Sequence, residues 1–123
     1  MKPSLAIIII LFIFTCSCFG QGVKCTDLLT YVKSKGTERG AVSSFQLLES
    51  AWLIRVEAWD IDGTIAVIAE IKTDDWGLTS KEYVFCNISA TSWNAFAHGL
   101  YDYNTTYGER FHKYIMDYRC NCY

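Results

Sequence analysis

Apolar and polar residues alternate through the middle of the chain. Trp52, Ile54, Val56 and Ala58 fall on one side of an extended segment, and Arg55 and Glu57 on the other. A period of two marks a half-buried strand, and it predicts one over residues 51–59. Asp60-Ile61-Asp62-Gly63 follows, a run of residues that favour turn conformations. Residues 64–71 read as a second strand. Residues 72–80, with Asp74, Asp75 and Gly77, read as a longer loop. A further strand over 81–86 sets Tyr83 and Phe85 on one face. A short strand over 43–48 is expected ahead of these, and residues 35–40 read as a loop. Successive strands joined by short turns form an antiparallel meander.

The period changes from two to 3.6 toward both ends. Leu28, Tyr31 and Val32 make the apolar stripe of a small helix over 26–35, with Thr26 placed to cap it, Lys33 and Lys35 in its last turn, and Gly36 to stop it. Trp93, Phe96, Ala97 and Leu100 fall at i, i+3, i+4 and i+7 of a second helix that Ser89 or Thr91 can cap. A third begins at Thr106, where Thr106-Tyr107-Gly108-Glu109 has the spacing of a capping box. Tyr107, Phe111, Tyr114, Ile115 and Tyr118 form its stripe. The whole is an α+β fold: a meander of three to four strands covered on one face by two C-terminal helices, with a short N-terminal helix, in two layers.

The first residues add an address. A basic start at Lys2, an unbroken apolar run from Leu5 to Phe14, and small residues around Cys18 and Gly20 are the order of a secretory leader. The run is about half the ~20 residues a membrane-spanning helix needs, so no transmembrane anchor is expected. Cleavage between Gly20 and Gln21 is expected, giving a secreted, periplasmic or envelope protein. A lipid anchor on Cys16 or Cys18 is the alternative reading of the same segment. What remains is one domain. The formal charge of the chain is −2, and losing Lys2 makes it about −3. Affinity for nucleic acid comes from clustered Lys and Arg, which this chain lacks, so no nucleic-acid partner is expected.

Secretion changes the meaning of the cysteines. Cys25, Cys86, Cys120 and Cys122 remain after the leader, and an even count outside the cytoplasm argues for disulfides. Bridging Cys120 to Cys122 would close a very small ring, which disulfide geometry disfavours. Cys25 and Cys86 are therefore expected to join the C-terminal pair, in either order. A four-thiolate zinc site is the alternative use of the same residues.

Few other residues suggest chemistry. Asp60-Ile61-Asp62-Gly63-Thr64 after a strand looks like the nucleophile loop of haloacid-dehalogenase-type phosphatases, in which one Asp attacks phosphate and the next handles the proton. That reading makes the chain a small phosphate-ester hydrolase using Asp60 and Asp62, with Asp74, Asp75 and Lys81 nearby in sequence. It also needs Mg²⁺ and a parallel sheet; the plainer reading is a hairpin turn. A calcium loop lacks its later Glu. His98 and His112 have no nucleophile beside them. Asn87-Ile88-Ser89 and Asn104-Thr105-Thr106 are glycosylation sequons. Trp52, Trp93 and Phe96 fit a core, whereas Trp76, in a polar loop, is the candidate partner surface. No catalytic residue, metal or cofactor is assigned.

Thr106, Gly108, Phe111, Ile115 and Tyr118 resemble in kind and spacing the last helix of the KTSC domain, a small domain found at the C-terminus of some lysyl-tRNA synthetases and alone in bacterial proteins. Tyr83-Val84-Phe85 is similar to that family's central Tyr-x-Tyr, Ser43-Ser44 to its Ser-Ser start, and Trp59-Asp60 to its Tyr-Asp before a hairpin. His112 replaces an Asn of the family pattern and Met116 a basic residue. The resemblance covers about residues 42–118. It implies the meander with two helices, Tyr83 and Phe85 under the helical stripe, and a close approach of the last helix at Gly108. It implies no established activity; the synthetase context suggests RNA binding. The chain thus divides into a leader (1–20), an N-terminal helix and loop (21–41) and a KTSC-like domain with a cysteine-bearing tail (42–123). The expected function is a secreted, non-enzymatic binding module for a protein or an envelope or extracellular ligand.

Overall fold

The computed structural model describes residues 22–99 and 102–123. The segment expected to be a leader, its expected cleavage point at Gly20 and Gln21, and Leu100 of the expected helical stripe lie outside the described residues. The chain runs α1 (Cys25–Lys35), β1 (Thr37–Val42), β2 (Leu53–Ile61), β3 (Thr64–Lys72), β4 (Ser80–Ile88), α2 (Ala90–His98), α3 (Tyr107–Tyr114) and a closing 3₁₀ turn (Met116–Tyr118). The strands form one antiparallel sheet in the order β1-β2-β3-β4, the meander expected from the alternation.

The β2–β3 turn is tighter than the sequence implied. Ile61 pairs with Thr64, and Asp62 (φ 51) and Gly63 (φ 77) alone make the turn. Two consecutive residues at positive φ match the twist of the flanking strands, so Asp60 and Ile61 stay in β2. The first strand is displaced from its expected place. Residues 37–42 pair with β2, whereas residues 43–48, expected to be extended, coil into turns. Only Val42 of β1 is buried, so this edge strand is held by its ladder and carries no apolar alternation to read. Residues 43–48 coil because Ser43 and Gln46 bond each other's backbone and side chain, an alternative to a ladder.

The sheet is covered on both faces, which makes three layers in place of two. On one face Leu53, Val56, Ala58, Val67, Phe85, Trp93, Phe96, Phe111 and Ile115 belong to a large core under α2 and α3. On the other, Val32 of α1, Ala66, Ile68, Val84 and Cys120 make a smaller core. Central β3 is accordingly buried without a break from Ile65 to Ala69. The expected stripe of β2 is shifted by a bulge between Leu53 and Arg55, so Leu53 takes the core position assigned to Ile54. A second bulge, with Asn87 at φ 57, puts Phe85 and Ile88 on the same face.

The ends of the helices follow their chemistry. Ser89 accepts from Ser92 N at 3.0 Å and starts α2, and Gly99 closes it in the left-handed conformation. Thr106 and Glu109 complete both halves of the capping box of α3. For α1 the expectation fails: the helix starts one residue before Thr26, and Lys24 stands at its cap without a side-chain bond. Tyr118 also departs from its stripe and is 47% exposed. The α-helix ends at Tyr114, and the 3₁₀ turn changes the phase as the chain swings back to β4, where Cys120 N donates to Val84 O.

The four cysteines form two disulfides, Cys25–Cys122 and Cys86–Cys120, so they are staples and not the thiolates of a zinc site. The sequence separations are 97 and 34 residues. Loops of that size are worth about 4–5 kcal/mol each in the chain-entropy model, less than additively here because both bridges end within two residues of each other. Replacing Cys86 and Cys120 together by Ala should lower unfolding stability by about 3–4 kcal/mol, read from the denaturant midpoint of the oxidised proteins. A loss under about 1 kcal/mol would show that packing alone holds the tail.

Candidate functional site

Strand direction gathers three segments at one end of the sheet. Val42 pairs with Val56 and Leu53 with Ile71, so the β1–β2 connection (43–52) and the β3–β4 hairpin (73–79) emerge side by side. Lys72 N donates to Trp52 O at 2.8 Å and ties the two together. The start of α3 packs here as well. A Cβ on Gly108 would stand 3.1 Å from Trp52 Nε1, so glycine sets how closely the helix meets this indole. The close approach expected at Gly108 is thus made to Trp52, just before β2.

Both loops are braced by polar side chains and display apolar ones. In the hairpin, the Asp74 carboxylate accepts from Leu78 N (3.3 Å) and Thr79 N (3.2 Å). Thr73 N donates to Thr79 O, and the Thr73 and Thr79 hydroxyls meet at 2.6 Å. Trp76 and Leu78 stand on this frame 85% and 83% exposed. The exposure expected of Trp76 is what the structure has. In the other loop, Ser43 N donates to Gln46 Oε1 and Gln46 N to Ser43 Oγ, and buried Leu47 anchors the turn. Phe45 and Leu48 are left 81% and 73% exposed. Reading 43–48 as a strand concealed these two; the polar partners Ser43 and Gln46, spaced as a local side-chain turn, were the available signal.

A groove of about 570 Å³ runs between the second loop and α3, with Gln46, Glu49, Trp52, Gly108, Glu109 and His112 among its lining. Trp52 meets Phe111 edge-on at 5.6 Å and His112 at 5.1 Å. Arg110 is buried yet committed: its Nε donates to Phe96 O and its Nη1 to Thr105 O, with its guanidinium 4.5 Å over the Tyr107 ring. It thereby closes the C-terminal end of α2, where carbonyls lack helical partners. Beside it Asp102 accepts from Lys113 Nζ at 2.6 Å and from the Tyr114 hydroxyl. Hydrogen bonds from Lys113 and Tyr114 hold the Asp102 carboxyl below its usual range, and the same bonds raise Lys113 and Tyr114.

The opposite end holds the phosphatase-like aspartates, each with its own partner. Asp60 accepts from Arg39 Nε at 2.8 Å, and Asp62 from the Tyr31 hydroxyl at 3.0 Å, a bond that raises the phenol's pKa. Asp60 pairs with Ile65 and Lys81 with Ile71 on the same strand, so Lys81 is roughly 20 Å away at ~3.4 Å per residue. Asp74 and Asp75 belong to that far end too. The five residues of the hydrolase reading are therefore not brought together. Among the described residues, no group of three His, Cys, Asp or Glu could hold a metal ion. Lys81 and Arg119 instead stand 5.3 Å and 4.9 Å over the Tyr83 ring. Tyr83 is half-buried against the large core and Phe85 is fully within it, touching Phe111 at 5.3 Å. His98 is exposed at the end of α2, and both sequon asparagines, Asn87 and Asn104, are exposed.

Compared with family models, with curated proteins and with solved structures, the chain matches none.

Two outcomes follow from the packing and charge of this region. Gly108→Val should cost about 1–3 kcal/mol by driving a branched side chain into Trp52, with a change in near-ultraviolet dichroism; unchanged stability and dichroism would mean the indole moves aside freely. For Asp102, the lowered pKa makes its contribution present above the unfolded value near ~3.9 and lost as pH falls through the folded value. The raised pKa values of Lys113 and Tyr114 make theirs present below about pH 10 and lost above. Asp102→Asn should therefore melt below the parent through the neutral range, with the gap closing in strong acid. A gap independent of pH would assign the effect to shape and not charge.

Proposed function

We propose that this chain is a secreted, non-enzymatic binding module of KTSC-like fold, and that it binds through the sheet end that carries Phe45, Leu48, Trp76 and Leu78. One observation carries the reading: large apolar side chains, 73–85% exposed, stand on loops whose backbones are braced from beneath. Apolar side chains scattered singly over a surface need no explanation, but four on two neighbouring loops mark an interaction site. A preordered loop also loses less entropy on binding than a loose one.

The setting outside the cytoplasm is supported by the two disulfides, which persist in oxidising compartments. No helix among the described residues is long and apolar enough to cross a membrane. The KTSC-like assignment is supported by the order of the elements after residue 42 and by the capping box at Thr106.

The oxidised, leader-free protein should retain a ligand from its native secretion or envelope, and the double variant Trp76→Ser/Leu78→Ser should lose it. Both sites are exposed, so the unfolding free energy should change by no more than about 0.5 kcal/mol. Mg²⁺-dependent phosphatase turnover abolished by Asp60→Asn would instead make the chain an enzyme and remove this reading.

A further inference from the structure

Resting on that reading, we propose that the partner is a lipid–water interface, and that Phe45, Leu48, Trp76 and Leu78 insert among the headgroups of a zwitterionic bilayer.

The arrangement of the apolar surface favours lipid over protein. Four such side chains offer roughly 600 Å² in all, allowing ~150 Å² each. A standard protein interface takes about 800 Å² from each partner, a little over half of it apolar, so area alone does not decide; what such an interface needs is one well-packed patch. Here the surface comes as projecting side chains on two loops. Insertion into an interface needs no shape complement, and Trp suits that depth because its indole is apolar with one polar edge.

Part of the backbone of each loop is already paired before it leaves water. An unpaired N–H carried into an apolar medium is costly. In the hairpin, Gly77 N donates to Asp74 O, and Leu78 N and Thr79 N to the Asp74 carboxylate. In the other loop, Ser43 N and Gln46 N bond side chains, Leu47 N donates to Ser43 O and Ser44 O, and Ser50 N to Leu47 O. Polar braces inside and apolar side chains outside reverse the usual composition of a water-facing loop.

Charge selects the headgroup. The two loops carry Glu49, Asp74 and Asp75, with Lys72 and Lys81 at the hairpin base and Lys72 packed along Gly77. The balance is acidic, so an anionic surface repels this end. A zwitterionic headgroup offers a cation to Glu49 and Asp75 and a phosphate to Lys72.

The test is flotation of the oxidised, leader-free protein with phosphatidylcholine vesicles, with tryptophan emission followed in parallel. The protein should float with the vesicles and its emission should shift to the blue. Trp76→Ala/Leu78→Ala should lower partitioning at least about ten-fold, and Phe45→Ser/Leu48→Ser should lower it independently. Anionic phosphatidylglycerol in the vesicles should weaken binding, and added salt should restore it. Failure to float, or flotation indifferent to Trp76 and Leu78, overturns the proposal. So does a concentration-dependent dimer that Trp76→Ala abolishes without any flotation, which assigns the surface to a second copy. If flotation fails while Trp76-dependent capture from the native secretion persists, the lipid inference falls alone; if both fail, the binding-module reading falls with it.

Discussion

The sheet has two covered faces but only one substantial core, and the disulfides stand on the weaker side. Under α2 and α3 the packing is dense, with Phe111 in edge contact with both Phe85 and Phe96. Under α1 only Val32 of the helix is fully buried, with Leu28 and Leu29 partly so. Burial of one such side chain is worth about 1.5–3 kcal/mol, and a helix of this length is marginal in water. Each bridge taken alone is worth more, about 4–5 kcal/mol through its loop, and about 3–4 kcal/mol with the other in place. Cys120 is itself part of the small core, and Cys86 and Cys122 pack against it. The Cys25–Cys122 bridge ties the start of α1 to the tail, and Cys86–Cys120 ties the tail to β4. The bridges thus supply the constraint that apolar area on this face does not.

Fixing the tail has a consequence on the other face. Cys120 must reach Val84, so α3 cannot continue past Tyr114, and its axis is set by where it ends. Its beginning is set independently by Gly108 against Trp52 and by Arg110 against the Phe96 carbonyl near the end of α2. Arg110 is a buried charge with no carboxylate in hydrogen-bond contact among the described residues; two carbonyls and the Tyr107 ring take that role. With both ends of α3 determined, the loop packed beside its first turn has a rigid wall. The groove at Trp52 and the turn that displays Phe45 and Leu48 rest on that wall.

What could be read in the sequence were the features that depend on local chemistry. The strands from residue 53 on, the Asp-Gly turn and the Thr106–Glu109 box each follow from residues within a few positions of one another. β1 was not legible, because Thr37–Val42 is a strand only by virtue of its pairing with β2. Ile54 was misplaced because one bulge reverses the alternation, and a bulge is a property of two strands together. Tyr118 was misplaced because the helix ends where a distant disulfide requires it to. The face of the sheet covered by α1 was likewise invisible: a strand buried without a break from Ile65 to Ala69 has no alternation to show which side faces what.

The candidate site divides along the same line. Trp76 was legible because an aromatic among Asp, Asp and Gly breaks the pattern of a polar loop. Phe45 and Leu48 were not, since Ser-Phe-Gln-Leu-Leu imitates a strand, and only Ser43 with Gln46 betrays the turn. In both loops the residues that shape the backbone are polar and the residues that meet the outside are apolar. Shape and display are therefore carried by different side chains. Asp74, Thr73 and Thr79 hold the hairpin whatever stands at positions 76 and 78, and Ser43 and Gln46 hold the turn whatever stands at 45 and 48. The four displayed side chains are 73–85% exposed, so the packing of the fold does not account for Phe, Leu, Trp and Leu at these positions.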